Sequence, residues 1–327
     1  MKSILRIVIV LQLFTFHGFS QQVPAVEENI PFLVTFGKDG EKSWGDDDFS
    51  QTYFFVIPKF QIKPIYIRVF DPETSSNFDE KKGEYNTKTK FSVYGGKESF
   101  TNKDVRLKDP AGKYKSGNLL ATKIFISSDV YDGEWYTFGP FNPTEGELVT
   151  EYGGYIFKVI AEGISGDDGN LYKYFLSSSP TENKVIEGGN AFTFEYTFRL
   201  SDSQKDVAHL YPYIEQNVYS VRISNFDFDN DGSVNIVSMV KKGELSKASG
   251  DNVWANTTHL IVEKEKKTTL DVQFIKNKKV PIKNNNVTLY VTNQYGNLLP
   301  IYTVPIGGVP QRNSKIQFEQ KKKTTPY

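Results

Sequence analysis

Apolar residues along this chain come in short runs, several of which alternate apolar and polar positions. Residues 32–36, 52–57, 65–70, 123–127, 155–160, 192–198, 218–223, 270–274 and 287–291 are rich in β-branched and aromatic side chains, with Gly, Pro, Asn and Asp between the runs. Side chains of this shape suit a pleated surface and the separators suit turns, so each run predicts a strand. In residues 192–198 the aromatics fall on alternate positions with Thr and Glu between them, the pattern of a strand with one face on the core and one toward solvent. No long segment carries a 3.6-residue apolar period. The expected fold is all-β, with two antiparallel β-sandwich domains of jelly-roll or Ig-like type.

The polar stretch Ser201, Asp202, Ser203, Gln204, Lys205, Asp206 follows the strongest strand signal and marks the expected break, giving domains over residues 30–200 and 207–310. Residues 311–327, with Lys321, Lys322 and Lys323, show no apolar pattern and are expected to form a flexible tail. At the other end Lys2 and Arg6 flank an apolar stretch that closes on the small residues Gly18 and Ser20. This predicts a signal peptide over residues 1–20 and export to the periplasm, outer surface or exterior. The stretch is shorter than the roughly 18 to 20 residues that cross a bilayer, so no transmembrane segment is expected in the mature chain.

Composition narrows the chemistry. The 327 residues include 39 basic and 39 acidic side chains and no Cys, so disulfides, thiolate metal sites and a lipid-modified cysteine are excluded. Loss of Lys2 and Arg6 with the leader makes the mature chain slightly acidic, which argues against nucleic acid as a partner. His209 and His259 alone remain beyond the leader, and no nucleophile-elbow, zinc-protease or phosphate-loop pattern occurs. Paired carboxylates such as Glu134 with Glu145 or Glu147 are the remaining route to catalysis, through glycoside hydrolysis.

Three acidic loops carry the candidate chemistry. Asp227, Asp229 and Asp231, with Gly232 and Ser233, place oxygen ligands at alternate positions ahead of a turn, a spacing that suits Ca²⁺ and equally suits a solvated hairpin turn. The EF-hand's closing Glu is replaced by Ser238, and strand-like sequence stands where its helices would be. Asp46, Asp47 and Asp48 are adjacent carboxylates, of which two at most can converge on one ion; Asp71 would add to that site if its segment met them. Gly166, Asp167, Asp168, Gly169 and Asn170 form the third loop and read as a turn. Trp44, Trp135 and Trp254 are candidate stacking platforms for a glycan, though tryptophans more often pack in cores.

The block Ser43, Trp44, Gly45, Asp46, Asp47, Asp48, the strand at 54–58, and Ile67, Arg68, Val69, Phe70, Asp71, Pro72 followed by residues 91–96 resemble exported β-sandwich proteins of Bacteroidetes-type bacteria. Some of those proteins join the sandwich to a peptidoglycan-binding outer-membrane domain. The resemblance covers mainly residues 30–200 and implies an envelope location. The expectation is an exported binding or structural protein with calcium-stabilised loops and a glycan or envelope protein as ligand. The competing class is a secreted carbohydrate-active enzyme using paired carboxylates, which a deep acidic cleft would favour.

Overall fold

Each apolar run contains a strand, because turns break the chain before any run can extend beyond the depth of one sandwich. The computed structural model describes residues 21–75 and 78–307; the expected leader at 1–20 and tail at 311–327 lie outside the described residues. The chain is all-β: its strands form two antiparallel sheets, of nine and twelve strands among the described residues, built as two β-sandwiches side by side.

Both sheets run unbroken from one sandwich into the other. In the nine-stranded sheet Glu195–Arg199 pairs with Phe32–Phe36 on one side and with Asn286–Asn293 on the other. In the twelve-stranded sheet Asn190–Thr193 pairs with Ser50–Pro58 and with Ile301–Tyr302. A continuous apolar core follows the same course, from Phe91 and Phe125 through Tyr53, Tyr174 and Tyr196 to Phe198, Phe274 and Val287. The polar stretch at 201–206 is the surface connection between Glu195–Arg199 and Val207–Ile214.

The 192–198 run differs from its pattern. It is two strands, with the chain passing from one sheet to the other at Phe194, and the Thr193 hydroxyl lies 2.6 Å from the carbonyl oxygens of Thr52 and Glu195. The face expected toward solvent is also covered, with Thr197 and Glu195 buried. The cover is the acidic loop from the opposite sandwich. The Gly45 carbonyl accepts from Thr288 Oγ1 at 2.9 Å and the Trp44 carbonyl from Asn286 Nδ2 at 2.8 Å. Gly45 has φ of 96°, and a Cβ there would stand 2.6 Å from Asn286, so only glycine allows the loop to cross the seam this closely.

Shared sheets and a shared core predict joint unfolding of the two sandwiches. Phe198→Ala, at the seam against Phe274 and Tyr196, is expected to cost about 3 to 5 kcal/mol. In urea, single-tryptophan variants retaining Trp135 or Trp254 should report the same shifted midpoint; separate midpoints for the two probes would show that the sandwiches unfold independently.

Candidate functional site

The loop after Ser220–Phe226 is shaped by left-handed backbone at Asp227, Asp229 and Asn230, residue types that tolerate it better than most. Phe228 is buried against Phe274, and its N–H donates to Ser249 Oγ at 2.8 Å while the Asn230 N–H donates to the Ser249 carbonyl at 2.7 Å. The loop therefore folds back on residues 249–252, and this brings in Asp251. Asp227, Asp229 and Asp251 each present a carboxylate oxygen, all within 4.8 Å of one another. Asp231 is turned elsewhere: its Oδ2 accepts from the N–H groups of Lys283 and Asn284 at 2.5 and 3.2 Å. Ser233 already belongs to the next strand, Gly232–Val237. Alternate spacing thus brings two of the expected residues together, and a backbone contact to Ser249 supplies the third.

Burial, with Asp229 and Asp251 nearby, pushes the Asp227 carboxyl up to about 7, against the hydrogen bonds from the Asn252 N–H at 2.5 Å and Asn284 Nδ2 at 2.6 Å. Asp229 is raised by burial and by the charges of Asp251 and Asp231, and its Oδ1 is buried without a hydrogen-bond partner. Three crowded carboxylates, one of them with a buried oxygen that has no hydrogen-bond partner, are chemically suited to a hard cation.

Asp46, Asp47 and Asp48 go three separate ways. Asp46 is buried and accepts from the N–H groups of Phe36 and Phe49 at 2.8 and 2.9 Å, locking the loop to its neighbouring strand; burial raises it to about 7. Asp47 pairs with Lys108 Nζ at 2.6 Å, and Asp48 accepts from the Ser50 N–H at 2.9 Å. Asp71 joins neither this segment nor the 227 loop in its hydrogen bond with the Gly133 N–H, 3.0 Å away. In the third loop Asp168 is fully buried and takes the N–H groups of Lys82 and Asn86, both at 2.8 Å, so it fastens the turn to the adjoining segment.

Asp48, Glu195 and Lys108 line a cavity of about 20 Å³, room for roughly one water. Burial, followed by the charges of Asp46 and Asp47, raises Asp48; burial, followed by Asp48 and Asp47, raises Glu195. Burial opposes the charge on Lys108, but Glu195, Asp109 and Asp47 outweigh it and hold this amine above the ordinary lysine value.

The tryptophans are half-buried, each between an aromatic neighbour and a cation. Trp44 lies 5.6 Å from Phe36 with Lys82 over its ring; Trp135 lies 5.4 Å from Phe70 with Arg68 over its ring. Trp254 lies 4.8 Å from Tyr290 and has Lys108 over its ring. A more open aromatic side chain is Phe78, at the mouth of a groove of about 430 Å³ lined by Phe32, Leu171, Arg199 and Asp202 among others.

Among the remaining candidates for catalysis, Glu147 is committed to the N–H groups of Glu98, Phe100 and Thr101 and to the Thr101 hydroxyl. Glu145 caps its own turn through the Asn142 N–H at 2.6 Å. His209 meets Asp271 at 2.8 Å. His259 joins Ser246 at 2.7 Å to Glu244 at 2.6 Å, the order of a nucleophile, base and acid relay. Ser246 and His259 are both buried, and neither the 20 Å³ cavity nor the 430 Å³ groove reaches them, so the contact acts as a clasp between Lys242–Ser246 of one sheet and Trp254–Leu260 of the other.

No protein-family model matches the chain, and no curated protein matches it in sequence.

Lys108 is the cation that offsets the Asp47, Asp48 and Glu195 charges. Lys108→Met is expected to destabilise the protein by about 1 to 3 kcal/mol at pH 7.5. Because the folded-state values of Asp48 and Glu195 are raised, their ionisation penalty grows as pH rises above the ordinary carboxylate range and disappears as they protonate. Denaturation of wild type and variant at pH 7.5 and 5 should therefore show the gap narrowing at the lower pH; a gap independent of pH would mean that Lys108 does not act by offsetting Asp48 and Glu195.

Proposed function

We propose that this is an exported envelope or extracellular protein of Bacteroidetes-type bacteria that acts by binding or as a structural module, with Ca²⁺ holding its loops and a glycan as its ligand. The observation that carries the calcium reading is the meeting of Asp227, Asp229 and Asp251 at one end of the second sandwich. Oxygen-only ligands, with one buried carboxylate oxygen still unpartnered, match the preference of a hard, flexible-coordination cation. The envelope location is supported by the leader-like sequence and the resemblance of residues 30–200. No helix among the described residues is long and apolar enough to cross a membrane. Carbohydrate hydrolysis draws less support, since Asp48 and Glu195 share space for only about one water.

Calcium should raise the melting temperature, and pH should control by how much. With a chelator, Asp227 keeps its proton in the folded state up to about 7, whereas the unfolded chain loses it near the ordinary value of 3.8. Its contribution to stability is therefore full below 3.8 and is lost as pH rises toward about 7. Calcium binds the ionised form and opposes that loss, so the calcium-induced shift should be larger at pH 7.5 than at pH 5. Asp46, raised in the same way but tied to backbone N–H groups, gives a slope that calcium leaves unchanged. Thermal unfolding with millimolar calcium or chelator should show this shift in wild type and its loss in Asp229→Ala. No shift in wild type at pH 7.5, or an equal shift in the variant, would refute the site.

A further inference from the structure

The outer face of the nine-stranded sheet carries the open groove of about 430 Å³, within the roughly 300 to 1,000 Å³ typical of small-ligand sites. We infer that this groove binds a neutral sugar of one or two pyranose rings, which stacks on Phe78 and is held at its hydroxyls by Arg199 and Asp202. The inference rests on the binding reading above and gives it a location and a ligand class.

The groove is built from both sides of the seam. Glu80 Oε2 accepts from Arg199 Nη1 at 2.6 Å and from Asn286 Nδ2 at 2.7 Å, while Glu80 Oε1 pairs with Lys82 at 2.8 Å. Asp79 fastens the adjacent wall, its Oδ1 accepting from the Leu171 N–H at 2.9 Å and its Oδ2 from the Ser75 N–H at 3.0 Å. Phe78 stands between Phe32 and Phe70, with ring centroids 5.8 and 6.0 Å away at 50° and 70°. Its ring is held in place, yet 47% of the residue remains exposed. Little ordering is left for a ligand to impose, which favours binding.

The polar rim selects the chemistry. Arg199 Nη2 lies 3.8 Å from Asp202 Oδ1, too far for a direct hydrogen bond, and the Asp202 side chain is 86% exposed. Asp202 Oδ1 accepts from Asn285 Nδ2 at 2.9 Å and Arg199 Nη1 is held by Glu80, which leaves Asp202 Oδ2 and Arg199 Nη2 as an acceptor and a donor side by side with capacity to spare. Hydroxyl groups both donate and accept, so a polyol can engage the two together. An anion would approach Asp79, Glu80 and Asp202 together, and a cation would find Asp79 and Glu80 already engaged by backbone N–H groups, Arg199, Asn286 and Lys82. A wholly apolar ligand would strip water from the rim and return no hydrogen bonds. A sugar ring satisfies both parts, its C–H face lying on the phenyl ring and its hydroxyls on the rim. The three tryptophans, each with a cation over its ring, are less open to the same contact.

The test is saturation-transfer NMR on the full chain with cellobiose, maltose and N,N′-diacetylchitobiose at up to about 10 mM, and with digalacturonate as the anionic counterpart. At least one neutral disaccharide should receive saturation and digalacturonate should not. Phe78→Ala and Asp202→Asn, both at exposed positions, should each weaken the binding by about tenfold or more while retaining the wild-type circular dichroism spectrum. Binding undiminished in both variants would place the site elsewhere and overturn the groove. No transfer to any neutral disaccharide, or preference for digalacturonate, would overturn the ligand class. Co-sedimentation with isolated peptidoglycan separates the two levels of inference: retention of wild type and Phe78→Ala alike keeps the binding reading while the groove falls, and loss of retention only in Phe78→Ala supports the groove.

Discussion

The backbone pairing of Glu195–Arg199 with a strand from each sandwich is the constraint on which the rest depends. All five residues pair with residues 286–290 on one side and Phe198 and Arg199 pair with Leu33 and Phe32 on the other, so the two sandwiches cannot slide or rotate against each other without breaking that ladder. The companion pairing of Asn190–Thr193 does the same in the opposite sheet, only a bend away along the chain. One short stretch therefore stitches both layers, and the bend at Phe194 is what allows it to serve each in turn.

That arrangement governs the electrostatics. Once the strand is interior and its outer face is covered by the Trp44–Gly45 loop, Glu195 is shut in with Asp47 and Asp48. The charge is managed by Lys108 and by backbone N–H donors, each tying a first-sandwich loop to the seam. Lys158 follows the same logic nearby: burial pulls its amine down to about 7, and it donates to the carbonyls of Tyr114 and Ser116, holding the loop that borders the Lys108 cavity. Most acidic residues that look like ligands in sequence are thus loop fasteners. A carboxylate accepting several N–H bonds gives an irregular loop the partners that a sheet ladder would otherwise supply.

The proposed calcium cluster and the proposed sugar groove lie at places where this fastening is incomplete. Asp229 keeps an oxygen without a hydrogen-bond partner, and Arg199 stands just beyond hydrogen-bond reach of Asp202. Both positions sit where strands end and loops begin, so their geometry is set by rigid sheet while part of their bonding capacity is left unused.

Local pattern alone determined the all-β class and the antiparallel sandwiches and put strand within each of the nine runs it marked, because β-branched and aromatic runs between turn formers allow little else; strands such as Trp135–Phe141, Val207–Ile214 and Trp254–Leu260 lay outside those runs. It also made Asp227 and Asp229 legible as neighbours, since adjacent loop residues must share a neighbourhood. What only the tertiary structure decided is everything that joins distant segments. Asp251 enters the cluster through hydrogen bonds to Ser249, and Asp231 leaves it for the backbone at 283–284. Glu195 and Thr197 alternate like solvent-facing residues but are buried, because a loop about 150 residues earlier in the chain covers them. Phe78 and Arg199 gave no signal of a groove, for neither residue type nor spacing records which sheet face a loop crosses. Side-chain periodicity encodes the two faces of a strand; what lies over each face is set by long-range packing, which no local pattern contains.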